Sequence, residues 1–484
     1  MQTSKNKPVR VVVIGGGVSG LSAAHRLLEL SARSGLDIET TVLERSGRLG
    51  GVISSKTTND LILEGGPDSF ITTKPWALDL CLRLGMESRL IETNDESRRI
   101  LVARHNRLVP MPEGFSFAPT RLVPFVFSPL FSLLGKLRMS LDIVLPRRKS
   151  KEDESVKSFF TRRLGSEAFN LIVQPLVSGI YGANPENLSI RASLPQFTMM
   201  EEKHRSLIMA MRKAVQSKNG YKKENGGPRY NQFVSFRGGM RELIDALASS
   251  LPEGQIRLNQ AVKRIEPASN TWEIRTNNNG SITADAVVIA VPTNRAADLV
   301  EGFDPLLGDY LSQIKYASST VVNLLYRRED ISHPLNGVGF VVPNSEGLPI
   351  TACSFSSLKF TGRAPAKTVL LRCFMGGAIN KELLDKDDSW LTNAVHNKLS
   401  LLLGITSEPL FSMAKRNPES MPQYAVGHLE RIALINQRAE LYPGMELAGN
   451  AYNGVGIPDC VRSGEEAAEK IHEYLRLSKC RELD

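Results

Sequence analysis

Cysteine is scarce and unpatterned in this sequence: five residues, Cys81, Cys353, Cys373, Cys460 and Cys480, with no C-x-x-C pair. An odd, widely spaced set argues against a disulfide framework or zinc cluster and for reduced thiols in a cytoplasmic setting. Histidine is as sparse, seven residues without an H-x-x-x-H spacing, so no metal site is expected. No apolar run reaches the ~18 residues of a membrane-spanning helix. The opening Met1–Pro8 is short, basic and polar, without the apolar core of a secretory signal. There is no internal repeat, no long low-complexity tract and no recognisable nucleic-acid module. No nucleophile–base arrangement stands out either, so no residue is nominated for acid–base or covalent catalysis.

In bulk the chain is ordinary. Its 484 residues, 42% apolar and 23% charged, suffice for about two or three domains with a substantial core. Sixty Lys and Arg against 51 Asp and Glu leave a formal charge of +9, which points to an anionic partner. Without a nucleic-acid module, a polyanionic small molecule or an acidic membrane surface fits best.

The informative text begins at Val9-Arg10-Val11-Val12-Val13-Ile14, an apolar strand running into Gly15-Gly16-Gly17-Val18-Ser19-Gly20. This is G-x-G-x-x-G followed by a predicted helix from Leu21 to about Ala32. Gly15 permits the tight turn, Gly17 lets backbone approach a pyrophosphate, and Gly20 lets helix pack on strand. The helix N-terminus offers free N–H groups and partial positive charge to that anion. A second strand, Glu39 to Leu43, ends on Glu44, placed to accept the ribose hydroxyls of an adenosine. Strand, turn, helix and acid together predict a dinucleotide site.

The α/β pattern returns twice more, at the turn Gly238-Gly239 with its helix and strands up to Val291, and at Glu446–Gly449 before a C-terminal helix. The predicted fold is therefore α/β, α+β overall: a discontinuous Rossmann-type domain with an inserted mixed-sheet domain and an inserted helical one. The expected divisions are 8–92, 232–298 and 438–480 for the dinucleotide domain, 93–215 for the helical domain, 216–231 for an exposed loop, and 299–437 for the mixed-sheet domain.

Just beyond Glu44 lie Arg45, Arg48 and the pair Gly50-Gly51, which an NAD site does not need. A flavin dinucleotide is longer and does. With Glu64-Gly65-Gly66-Pro67-Asp68-Ser69-Phe70, these motifs resemble the amine-oxidase-like flavoproteins, and within them the porphyrinogen oxidases of haem biosynthesis. Strings such as Ser178-Gly179-Ile180-Tyr181, His204-Arg205-Ser206-Leu207-Ile208, Pro422-Gln423-Tyr424, Gly427-His428 and Gly454-Val455-Gly456-Ile457-Pro458-Asp459-Cys460 extend the resemblance over nearly the whole chain.

The resemblance implies FAD as cofactor. Gly15 to Gly20, Glu44, Arg45, Arg48, Gly50 and Gly51 would hold its ADP half, and Gly65 to Ser69 would pass beside the ribityl chain and ring. Val262 matches a valine whose backbone meets the adenine, though it also reads as a buried strand valine. Val455, Gly456 and Ile457 match the segment beneath the flavin, where a helix start would favour negative charge on the reduced ring. The implied activity is the six-electron oxidation of protoporphyrinogen IX or coproporphyrinogen III by O2, in hydride-transfer rounds that each release hydrogen peroxide.

Such a substrate, a broad apolar disc with carboxylate arms, needs apolar walls and basic residues at the rim. Arg99 and Lys74 match basic positions of the family and otherwise read as solvated charges. Val341, Phe360 and Met375 are wall candidates that otherwise read as core. The presence of both Arg99 and Lys74 leans slightly towards the four-carboxylate coproporphyrinogen III. The Phe-rich stretch from Phe115 to Phe131, with Lys136, Arg138 and the basic cluster Arg147–Lys151, reads either as a surface docking on an acidic bilayer or as a helical core with a solvated basic face. Neighbouring haem-pathway enzymes are the other expected partners. The remaining alternatives are an amine or polyene oxidoreductase of the same fold and a catalytically silent FAD-binding partner protein.

Overall fold

A computed structural model describes residues 7–483, apart from 59, 95–98, 116, 226–231, 279 and 380. Among the described residues a five-stranded, wholly parallel sheet runs in the order Ile256–Arg257, Ile38–Leu43, Val9–Ile14, Ala286–Ile289, Met445–Leu447. Its strands come from three separate parts of the chain. The central strand reads as nearly continuous apolar text because both its faces are covered. Val9, Val11 and Val13 pack with the first helix (Val18–Ser34) and the last (Ile457–Leu483), whereas Val12 and Ile14 pack with Trp272 of a three-stranded meander. At Gly464 a β-carbon would overlap the Ser19 carbonyl oxygen, so glycine there lets first and last helices touch.

A second, seven-stranded sheet has the order Phe411–Pro422, Tyr316–Arg327, Thr368–Gly376, Ala352–Phe355, Gly339–Val341, Ile100–Arg104, Arg107–Pro110. Its back face buries Val322, Leu324, Leu371, Cys373 and Phe355 beneath the helix Asp388–Leu403. Its front face meets the helical part, where Val102 and Val341 share a core with Phe159, Phe160 and Val177.

Three of the expected segments change their bounds. Residues 100–110 fall within the segment predicted as helical (93–215), yet they form the edge of the seven-stranded sheet, Ile100–Arg104 pairing in parallel with Gly339–Val341. Leu101 and Ala103 face the back core and Val102 the front, the period of two that a strand requires. The mixed-sheet segment 299–437 is too generous at both ends. Helices Pro305–Ser312 and His428–Ala439 bury Leu307, Leu311, Ile432 and Ile435 in the core of the parallel sheet. Of the loop expected at 216–231, residues up to Asn225 continue the helix Leu207–Asn225, and 226–231 lie outside the described residues. The cysteines are unpaired, four of them buried. No helix among the described residues is long and apolar enough to cross a membrane.

Candidate active site

Both long helices of the parallel sheet begin at the carboxyl ends of its strands, the edge where open α/β sheets bind ligands. The first strand passes at Ile14 into Gly15, whose φ of +112° only glycine adopts comfortably and where a β-carbon would stand 2.5 Å from the Ala290 carbonyl oxygen. At Gly20 a β-carbon would overlap the Gly15 carbonyl oxygen. Gly17 is different: nothing lies within 4 Å of where its β-carbon would be. As N-cap of the first helix it supplies no side-chain acceptor. The first-turn N–H groups thus face open space bounded by glycine, the cradle a pyrophosphate needs. The residues present fit a dinucleotide.

Glu44 reaches this cradle, its Oε2 accepting the Gly16 N–H at 2.8 Å and its Oε1 the N–H and hydroxyl of Ser46. The Gly50-Gly51 turn abuts it, the Gly50 N–H donating to the Gly16 carbonyl at 2.8 Å. Arg48 braces that turn by donating to the carbonyls of Gly51 (2.6 Å) and Leu49 (3.3 Å), while Arg45 stands exposed at the rim. Val18 and Ser19 form the first turn of the helix. Val262 begins the meander two residues after Gln260, whose N–H bonds to the Glu44 carbonyl at 2.9 Å, so strand and acid are neighbours.

The Gly65–Ser69 segment is tied to the front face of the seven-stranded sheet. Asn417 donates to the Gly65 carbonyl at 2.8 Å and Arg372 to that of Gly66. Lys359 Nζ lies 2.9 Å from the Asp68 carboxylate and Arg372 3.4 Å from it. Burial opposes ionisation of Asp68, but these two cations outweigh it and hold its carboxyl well below the usual range. Glu64 behaves oppositely: burial pushes its carboxyl up, although Ser55 donates to it at 2.6 Å.

The third piece is the start of the last helix. The Gly454 N–H donates to the Tyr424 hydroxyl at 2.9 Å, and that hydroxyl donates to the Asn450 carbonyl at 2.6 Å. Tyr424 stacks on the fully buried His428, ring centroids 4.0 Å apart; burial pulls the imidazole down to about 4, so it is neutral at pH 7. The strings Pro422–Tyr424 and Gly427-His428 thus brace the segment that leads into Val455, Gly456 and Ile457. Asp459 folds back over Gly454 and Gly456 and pairs with Lys74 at 2.7 Å. Burial, and then the charge of Asp459, push the Tyr181 hydroxyl up to about 12.

Of the substrate candidates, Val341 lies on the front face in one cluster with Ala352, Tyr424 and Val455. Phe360 is buried, its ring 5.0 Å from Lys359 Nζ and 5.4 Å from the Arg363 guanidinium. Met375 is a correction: it joins the back core with Val395 and Leu399, because strand alternation turns it away from the front. Its neighbour Phe374 and the buried Arg372, stacked 4.4 Å apart, occupy the front instead. Lys74 pairs with Asp459 at 2.7 Å, its side chain partly exposed. Arg99 stands exposed just before strand Ile100–Arg104, its carbonyl accepting the Val338 N–H at 2.8 Å. Arg372 was detectable as a lone cation in the apolar strand Thr368–Gly376, while nothing local marks Asn417 or Lys359.

Residues 18–472 match the family described as flavin containing amine oxidoreductase. The chain is 33% identical over 467 residues to the coproporphyrinogen III oxidase of Bacillus subtilis (strain 168), covering 96% of this chain and 98% of that one. It is 29% identical over 495 residues to the mitochondrial protoporphyrinogen oxidase of Nicotiana tabacum, covering 96% and 95%. A solved structure from Exiguobacterium sp. 255-15, provisionally named protoporphyrinogen oxidase, superposes with a TM-score of 0.85 at 29% identity, covering 96% of this chain and 99% of that one.

Proposed function

Because this chain belongs to the flavin-containing amine oxidoreductase family, we propose that it binds FAD and oxidises coproporphyrinogen III to the porphyrin, consuming O2 and releasing hydrogen peroxide in haem biosynthesis. The observation that carries this is the full-length similarity to the Bacillus subtilis coproporphyrinogen III oxidase, on a chain whose glycine cradle fits a dinucleotide. The identity of 33% to that protein against 29% to the tobacco protoporphyrinogen oxidase supports the four-carboxylate substrate. Lys74, paired with Asp459, adds no weight to either substrate.

The flavin would supply the two-electron acceptor that O2 regenerates. The chain's part is position, dryness and charge. Gly15–Gly20 would hold the pyrophosphate, Glu44 would accept ribose hydroxyls, and Gly65–Ser69 and Val455–Ile457 would flank the ring. Val341, Ala352 and Phe374 would offer the macrocycle an apolar wall, and the exposed Arg99 a partner for one carboxylate arm. With both porphyrinogens offered under air, coproporphyrinogen III should give the higher kcat/KM by porphyrin fluorescence. A preference for protoporphyrinogen IX would overturn the substrate assignment and leave the flavin site standing.

The same reading includes an acidic bilayer as partner. Phe115, Phe125, Leu130 and Phe131 fill the helical core. Phe127, Leu134 and Leu133 are 82%, 79% and 74% exposed, and Leu122, Val123, Leu137 and Val144 stand out beside them. So wide an apolar surface is unusual on a protein surrounded only by water. Arg147, Lys149 and Lys151 are exposed nearby along the chain, the charge that anionic lipid attracts. The protein should pellet with phosphatidylglycerol vesicles and be released by salt. Phe127→Asp with Leu134→Asp should abolish pelleting at unchanged flavin content; equal pelleting of this variant would sink the docking surface.

A further inference from the structure

Resting on the flavin reading above, we propose that Lys74 is a positioning residue for the cofactor: it cancels the charge of Asp459 at the start of the last helix and so raises the potential of the flavin seated there. Lys74 Nζ meets both carboxylate oxygens of Asp459, at 2.8 and 2.7 Å. Asp459 is 4% exposed and lies against Gly454 and Gly456, within the first turn of the helix Ile457–Leu483. Its charge is felt in that pocket, since it helps push up the hydroxyls of Tyr181 and Tyr424.

Magnitudes decide the matter. A helix N-terminus carries roughly +0.5 of an elementary charge, and a bare carboxylate in its first turn would reverse that sign. A ring gaining negative charge on reduction would then meet a net negative field. With Lys74 in place the pair is neutral and the helix contribution survives. Arg462 is the other cation near Asp459, at 3.8 Å, but its guanidinium stacks 4.2 Å over Trp76 and donates to the Asn453 carbonyl at 3.0 Å. It compensates only in part. Lys74 therefore acts through Asp459, rather than on a substrate carboxylate.

The test uses the FAD-loaded full chain. Lys74→Met should weaken sulfite binding to the flavin about tenfold or more and lower the two-electron midpoint potential correspondingly, ~30 mV per tenfold. The double variant Lys74→Met with Asp459→Asn should restore both, and Lys74→Arg should leave them near wild type. An unmoved potential with a raised KM for the porphyrinogen would overturn the proposal, placing Lys74 on substrate. A lowered potential that Asp459→Asn does not restore would overturn it too, by assigning the effect to packing. A wild-type chain that takes up no flavin removes the underlying reading and this proposal with it.

Discussion

Gly17→Ala yields a protein that folds as before and does not retain flavin. The backbone at Gly17 is extended, φ −78° and ψ 178°, a conformation alanine adopts freely. Beyond its two neighbours in the chain, no described atom lies within 4 Å of the new methyl group, so the flavin-free chain should melt as wild type does. The methyl group instead enters the space that a pyrophosphate must occupy to reach the first-turn N–H groups. Flavin affinity should fall by roughly tenfold or more, at ~1.4 kcal/mol per tenfold. Gly20→Ala is the informative contrast, because its β-carbon would overlap the Gly15 carbonyl oxygen and strain the fold itself. Bound flavin after denaturation and melting of the stripped protein separate the two. A Gly17→Ala protein that stays yellow would place the pyrophosphate elsewhere.

Arg163→Met should destabilise the chain on the order of 3–5 kcal/mol, the cost of leaving a buried charge without its partner. Arg163 and Asp142 are both 0% exposed and make a direct ion pair through Arg163 Nη2 and Asp142 Oδ1. The guanidinium also donates to the carbonyls of Asp142, Pro146 and Arg205. Asp142 accepts in addition the Ser206 hydroxyl at 2.6 Å and the Ile208 N–H at 3.0 Å. The string Arg205-Ser206-Leu207-Ile208 thus serves a structural purpose, closing a buried ionic centre in the helical part. The earliest transition in urea should move to lower concentration while the flavin spectrum of the folded protein stays unchanged. A variant as stable as wild type would mean that water reaches Asp142.

The dinucleotide cradle was legible because its signals are local. A strand period, three glycines and an acid lie within the first 44 residues, and each has one physical reason to stand where it does. The discontinuity of the domain was legible too, since strand–turn–helix text recurs at Gly238 and Gly449. The front wall was not. Apart from Arg372, strand Thr368–Gly376 is apolar on both faces, so its alternation is hidden, and Met375 falls on the back. The partner of Lys74 was hidden for another reason: it is 385 residues away, and a lysine's ion pair leaves no mark on its neighbours in the chain. The helix through Asn225 escaped notice because Lys, Asn and Gly near its end read as a turn.

The most direct measurement is anaerobic mixing of the purified, flavin-loaded protein with coproporphyrinogen III, protoporphyrinogen IX and a panel of amines, following flavin absorbance. The account predicts that the yellow chain bleaches with a porphyrinogen, at the rate at which substrate is oxidised, and recovers its colour on admission of O2. A chain that takes up no flavin, or whose flavin is bleached by an amine and by neither porphyrinogen, would contradict it.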